Sequence, residues 1–199
     1  MEFKMYCSVC GKLKWHIICN KCLSHLEYID SKRVLDNGVK VFSNFAFSEL
    51  KLLLTSKNNI IGSRIFKRLG VYAISMFFKR YKDLATLKNQ KIAVLSIRNK
   101  TIGVYSHSAI LAQCFRMYGF KVFHNALIIG NDSHFSHLKR EERQRIGRNF
   151  TFHFKRDYMG VIIVDDIITT GQTLFEASNI IMQNDYTPLF AWTLCDSKY

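Results

Sequence analysis

The run Val161-Ile162-Ile163-Val164-Asp165-Asp166-Ile167-Ile168-Thr169-Thr170-Gly171-Gln172-Thr173 gathers the residue types best suited to chemistry in this chain. Four apolar residues lead into two carboxylates, and a Thr-Thr-Gly-x-Thr turn follows. A strand over Val161–Val164 would be buried and would deliver the acids at its C-terminal edge, where open α/β sheets hold ligands. Gly171 lets the backbone pass close to an anion. Amides and the hydroxyls of Thr169, Thr170 and Thr173 can then surround a phosphate at the N-terminus of the next helix, whose dipole favours negative charge. A phosphate and a diol held a few ångströms apart describe a ribose 5-phosphate. A hydrophobic strand ending in acids also occurs in ATPases, but no G-x-x-x-x-G-K-[ST] stretch is present, which disfavours one. The plain alternative is a buried strand followed by a threonine-capped helix.

A second constellation lies near the start. Cys7-Ser8-Val9-Cys10 and Cys19-Asn20-Lys21-Cys22 are two CxxC turns separated by eight residues. Each turn supplies two thiolates from one tight bend, and zinc wants four such ligands in a tetrahedron. Four ligands from one short segment leave no open position, so the site reads as structural. The alternative is a set of reduced, buried cysteines. His16 and His25 are not needed as ligands, the histidines as a group show no metal spacing, and Cys114 and Cys195 read as core residues.

These groups need a scaffold, and hydrophobic patterning supplies one. Val39–Phe42 alternates like a strand and leads into a helical stretch with Leu50, Leu52, Leu53 and Leu54. A second helix covers roughly 60–78, with apolar residues at 61, 65, 66, 69 and 72–73. Ile92–Leu95 reads as a short buried strand, 106–118 as a helix ending at Gly119, and 120–123 with 126–129 as one strand or two. Val161–Val164 is a strand, 172–184 a helix and Leu189–Leu194 a last strand. Strands alternating with helices imply parallel βαβ units and a sheet covered on both faces.

Composition sets the outer bounds. The 199 residues are 48% hydrophobic and 22% charged, which suits a packed core and excludes wholesale disorder. Lys and Arg number 29 against 15 Asp and Glu, a formal charge of +14. With four thiolates and a zinc ion counted the charge is about +12. Such a chain favours polyanions, among them phosphorylated small molecules, nucleic acid or an acidic membrane surface; the excess can also serve solubility alone. The longest apolar run, Val71–Phe78, is far short of the roughly 20 residues of a membrane span. With no signal-like apolar core at Met1–Cys7, the expected location is the cytoplasm.

The acid pair and turn resemble the binding motif for 5-phosphoribosyl-1-pyrophosphate (PRPP) of type I phosphoribosyltransferases. The resemblance implies that Asp165 and Asp166 hold the ribose hydroxyls and act as the catalytic acids. It also implies that the whole run Asp165, Asp166, Ile167, Ile168, Thr169, Thr170, Gly171, Gln172 and Thr173 binds PRPP together with Mg²⁺. A four-cysteine knuckle followed by such a domain resembles the ComF family. That likeness implies a zinc ribbon over residues 1–30, with Cys7, Cys10, Cys19 and Cys22 as ligands, and a phosphoribosyltransferase-like α/β domain over 31–199. Its parallel sheet is expected to be flanked by helices.

Within that frame, Leu138-Lys139-Arg140-Glu141-Glu142-Arg143 is similar to the family's basic loop. Arg98, Lys139, Arg140 and Arg143 become candidate contacts to pyrophosphate or to a nucleic-acid backbone. The alternative for 134–148 is a solvated helix face. His107 stands where the family has Gln, and Ser96–Lys100 lacks the family's prolines. The likeness further implies a role in DNA uptake during natural transformation. Single-stranded DNA and proteins of the uptake machinery would be partners, at the inner face of the membrane. The alternative is an active Mg²⁺-dependent phosphoribosyltransferase of nucleotide metabolism with an unidentified acceptor base.

Overall fold

A computed structural model describes residues 5–58, 60–99, 105–130 and 150–199. Its organising element is a seven-stranded sheet. β3 (Tyr28–Val34) pairs antiparallel with β4 (Lys40–Ala46), and β9 (Thr187–Asp196), β8 (Gly160–Ile168), β5 (Ile92–Asn99) and β6 (Lys121–Ile129) follow in parallel. β7 (Phe150–Phe152) closes the far edge antiparallel to β6. The expected parallel sheet is present in β4, β9, β8, β5 and β6, and one antiparallel strand is added at each edge. Both antiparallel members are edge strands, the place where one sheet face and one row of backbone groups need not be covered. β3 joins β4 through Asp36-Asn37-Gly38, where Gly38 has a φ of +84° and Leu35 N–H donates to Val39 C=O at 2.9 Å. Glycine adopts that left-handed turn conformation without steric cost.

β8 lies at the centre and shows why a fully apolar run makes a strand here. Ile162 and Val164 enter one side of the core with Phe42, Val94, Trp192 and Leu194, while Val161 and Ile163 enter the other with Ala93, Leu95 and Ala191. All four are fully buried, worth about 2 kcal/mol each. On the first face pack α2 (Phe47–Leu54), α3 (Ile60–Arg80) and α5 (His107–Gln113). On the second packs α6 (Gln172–Gln183), through Leu174, Ala177 and Ile181. The short helices α1 (Asn20–Ser24) and α4 (Lys82–Ala85) lie at the margins.

α3 buries Ile65, Phe66, Leu69, Ala73, Ile74 and Phe77, whose spacing of three and four marks one helical face. Ile61, grouped with that face from the sequence, is instead exposed. Two buried polar side chains beneath α3 satisfy each other and its backbone: Trp192 Nε1 donates to Asn44 Oδ1 at 2.8 Å, and Asn44 Nδ2 donates to the Ala73 carbonyl at 2.6 Å. Several elements run longer than the patterning indicated. β8 continues through both aspartates to Ile168, β5 continues to Asn99, and 121–129 is a single strand. The helix expected over 106–118 is α5 followed by a 3₁₀ turn, Cys114–Tyr118, ending at Gly119. Cys114 and Cys195 are core residues, as expected.

Candidate functional site

The sheet has one topological switch point. From β5 the chain first adds β6 on one side, then returns to add β8 and β9 on the other. The chain therefore leaves β5 and β8 toward opposite sides, and the C-terminal ends of these two strands are where open α/β sheets place a ligand crevice. Asp165 and Asp166 stand there on β8, half-buried. Asp165 Oδ1 accepts from Ser108 Oγ at 2.8 Å and from the Asp166 amide at 2.9 Å. Ser108 is carried by the first turn of α5, which Ser106 caps by accepting the Ala109 amide at 3.2 Å. His107 Nδ1 lies 4.0 Å from Asp166 Oδ2, an ion pair when the ring is protonated, and the ring packs on Phe66 and Tyr105.

The Thr-Thr-Gly turn leaves β8 and enters α6. Thr169 and Thr170 are exposed and Gly171 is buried, with a φ of +90° that a β-carbon makes costly. A β-carbon on Gly171 would also meet Leu35 Cδ2 at 3.0 Å. The Gly171 carbonyl accepts the Phe175 amide at 2.9 Å, and Thr170 Oγ1 accepts the Gln172 amide at 3.3 Å. Gln172 turns its own side chain along the helix to Glu176. The first turn of α6 holds no acid that would offset the positive end of its dipole.

Two residues that support this turn carry no short-range sequence signal. Arg33 Nη1 on β3 donates to the Thr169 carbonyl at 2.7 Å and lies 3.3 Å from Asp196 Oδ1 at the end of β9. Asp196 is fully buried and also accepts from Ser31 Oγ at 2.8 Å and from the Lys198 amide at 2.9 Å. The Ser197 amide holds the Ile168 carbonyl at 3.0 Å.

Of the candidate pyrophosphate contacts, Arg98 lies on β5 two residues past Ser96, the register partner of Val164. Its guanidinium donates to Asn125 Oδ1 on β6 at 2.7 Å. Lys139, Arg140 and Arg143 lie outside the described residues. Among the described residues, surface cavities of about 570 and 690 Å³ have Lys and Arg as about half of their lining, and one of about 460 Å³ sets Arg64, Lys67 and Arg68 among Met5, Ile17 and Val71; the acid pair lines none of these.

The cysteines form a separate cluster. A two-stranded ribbon, β1 (Met5–Tyr6) with β2 (Leu13–Lys14), and the start of α1 bring Cys7, Cys10, Cys19 and Cys22 together, all four sulfurs within 4.8 Å of one another. Cys7 Sγ to Cys22 Sγ is 3.9 Å and Cys10 Sγ to Cys19 Sγ is 4.0 Å. Four sulfurs about 2.3 Å from a tetrahedral zinc would stand about 3.8 Å apart, so the residues fit the ion. Burial pushes the Cys7 thiol up, but hydrogen bonds from the backbone of Cys10, Cys19 and Val9 outweigh it and bring it down to about 6. Cys22, hydrogen-bonded to Cys19 and crowded by the other sulfurs, is pushed up to about 12. The knuckle docks on α3: Ile18 and Leu23 enter the core, and Arg68 donates to the Ile18 carbonyl at 3.1 Å and to Asn20.

No protein-family model and no curated protein matches the chain. Among solved structures, the hypoxanthine phosphoribosyl transferase of Trypanosoma cruzi is similar over 65% of this chain and 66% of its own, slightly under two thirds of its length, at 17% identity and a TM-score of 0.42. A purine phosphoribosyltransferase from Pyrococcus horikoshii is similar over 65% of this chain and 70% of its own, at 15% identity and a TM-score of 0.32. No helix of the described residues is long and apolar enough to cross a membrane.

Proposed function

We propose that this chain is a PRPP-binding protein of the phosphoribosyltransferase type, with the ligand in the crevice between β5 and β8. The observation that carries the reading is the coincidence of Asp165, Asp166 and the Thr169–Thr173 turn with the topological switch point. Asp165 and Asp166 accept the ribose hydroxyls. The amides and hydroxyls of the turn take the 5′-phosphate at the N-terminus of α6, helped by its dipole. Both acids have oxygen ligands of the hard type that suits Mg²⁺, which would arrive with the pyrophosphate and neutralise its charge. Cys7, Cys10, Cys19 and Cys22 hold a structural zinc, leaving no open coordination position for chemistry.

In the biological role we favour, the protein handles single-stranded DNA during uptake, as a ComF-like protein. The charge of +14 and the lysines and arginines that make up about half the lining of two surface cavities support a polyanionic partner. The second reading is turnover. As the C1–O bond to pyrophosphate breaks and pyrophosphate leaves, an acceptor nitrogen bonds C1 and passes its proton to water, and the fixed carboxylates beside the ribose stabilise the cationic sugar. The half-buried acid pair, with Asp165 already held by Ser108, favours it.

Calorimetric titration with PRPP, with and without Mg²⁺, tests the site. Micromolar binding that needs both aspartates supports it, and absence of heat at millimolar PRPP removes it. Pyrophosphate release with a panel of bases then separates turnover from binding alone.

A further inference from the structure

We propose that Arg33 is the positioning residue of the phosphate turn, acting through the Thr169 carbonyl and aimed by the buried carboxylate of Asp196. The inference rests on the PRPP reading of that turn. Arg33 touches no part of the ligand in this scheme. It stands behind the turn, on edge strand β3, and reaches forward to it.

The geometry is specific. One guanidinium nitrogen, Nη1, serves both the Thr169 carbonyl at 2.7 Å and Asp196 Oδ1 at 3.3 Å. No cis peptide bond occurs among the described residues, so the Thr169–Thr170 peptide is trans and its N–H points opposite to its C=O. Holding the Thr169 carbonyl toward Arg33 therefore turns the Thr170 amide away from Arg33. A cation donating to the carbonyl also polarises the peptide and makes that amide a stronger donor to an anion. The preceding carbonyl, Ile168, is held in the same region by the Ser197 amide at 3.0 Å. Two consecutive peptides of the turn are thus oriented before any phosphate arrives, and preorganisation spares the cost of ordering them on binding.

Asp196 explains why an arginine is needed. Its carboxylate has no exposed surface, and an ionised group there must be paired and hydrogen-bonded. Ser31 Oγ and the Lys198 amide satisfy part of it, and Arg33 supplies the charge. The pair in turn holds the guanidinium, whose side chain is only 16% exposed, at one orientation. A lysine ammonium can keep the charge against Asp196. Its nitrogen, however, ends one bond nearer the backbone than Nη1 and falls short of the point where that atom meets the carboxylate and the carbonyl together.

Zinc-loaded wild-type chain, Arg33→Lys and Arg33→Met are compared by calorimetry with PRPP and Mg²⁺ and by thermal unfolding. Arg33→Lys is expected to unfold near the wild-type temperature yet bind PRPP on the order of tenfold more weakly, because stability follows the charge pair and affinity follows the Thr169 contact. Arg33→Met is expected to lose both; if it fails to fold, Arg33→Lys decides alone. Wild-type affinity in Arg33→Lys overturns the positioning role and leaves the PRPP site standing. So does a fall in affinity matched by an equal fall in unfolding temperature, which marks a merely structural pair. Absence of Asp165-dependent PRPP binding in the wild type overturns both this inference and the reading beneath it.

Discussion

The cysteine knuckle and the β5–β8 crevice are built in opposite ways. The four sulfurs come from 16 consecutive residues and meet through two tight turns. The crevice draws Ser108 from α5, the acids from β8, the Thr169–Thr173 turn from the β8–α6 junction, and its support from Arg33 and Asp196, 163 residues apart. A metal site needs only ligands at the right spacing, because the ion itself supplies the free energy that closes the turns. A ligand crevice needs a finished sheet before any of its groups face one another. The first kind of site should thus fail locally, and the second should fail whenever its chemistry or its support is altered.

The largest expected effect separates the two. Asp165→Asn combined with Asp166→Asn should weaken PRPP by about a hundredfold or more, near 2.7 kcal/mol, with zinc content and unfolding temperature unchanged. Calorimetry and metal analysis on one preparation read both. Loss of zinc along with PRPP would break the comparison.

Next in size is the reverse experiment. Cys7→Ser, or a chelator, should loosen residues 5–26 by several kcal/mol, read as faster hydrogen exchange there, while PRPP affinity stays within about twofold. Acid should have the same effect, because each thiolate must be deprotonated to bind the metal. Zinc retention should therefore fall as pH falls, and a metal-sensitive dye titration from neutral to acid pH follows it.

Two smaller effects sharpen the contrast. Gly171→Ala places a β-carbon at a φ of +90° and against Leu35, and should cost about 1–2 kcal/mol in stability and weaken PRPP in the same variant. Arg68→Ala removes the hydrogen bonds to Ile18 and Asn20 that tie the knuckle to α3. It should cost about 1 kcal/mol and leave PRPP binding untouched, because Arg68 supports the metal region alone. Denaturant unfolding measures both.

Much of the architecture was legible because burial leaves a periodic signal. Val161–Val164, Ile92–Leu95 and the helix beginning near residue 60 announce themselves by unbroken or helically spaced apolar residues, and each is found as an element of its type. β3 was not legible: Tyr28–Val34 is half polar, since an edge strand has only one neighbour and its solvent side needs no apolar residue. Ile61 misled because it continues the apolar pattern of α3 beyond the stretch that faces the sheet. The extension of β8 through two aspartates was equally hidden, as strand propensity argues against adjacent acids. Only pairing with β9 as far as Asp196 carries the strand that far.

By itself the sequence determined what depends on local spacing: four thiols in two CxxC turns, a buried strand ending in acids, and a glycine where the chain must turn into the next helix. It also determined the helix-alternating pattern that makes a covered sheet, and a charge that favours anionic partners. The tertiary structure alone decided which strands flank β8, and so that the acids stand at a switch point. It alone set Ser108 against Asp165 and brought Arg33 and Asp196 behind Thr169. The physical reason is range. Turns and caps are set within a few residues, whereas a buried ion pair between the two ends of the chain exists only after the intervening strands have packed and excluded water from it.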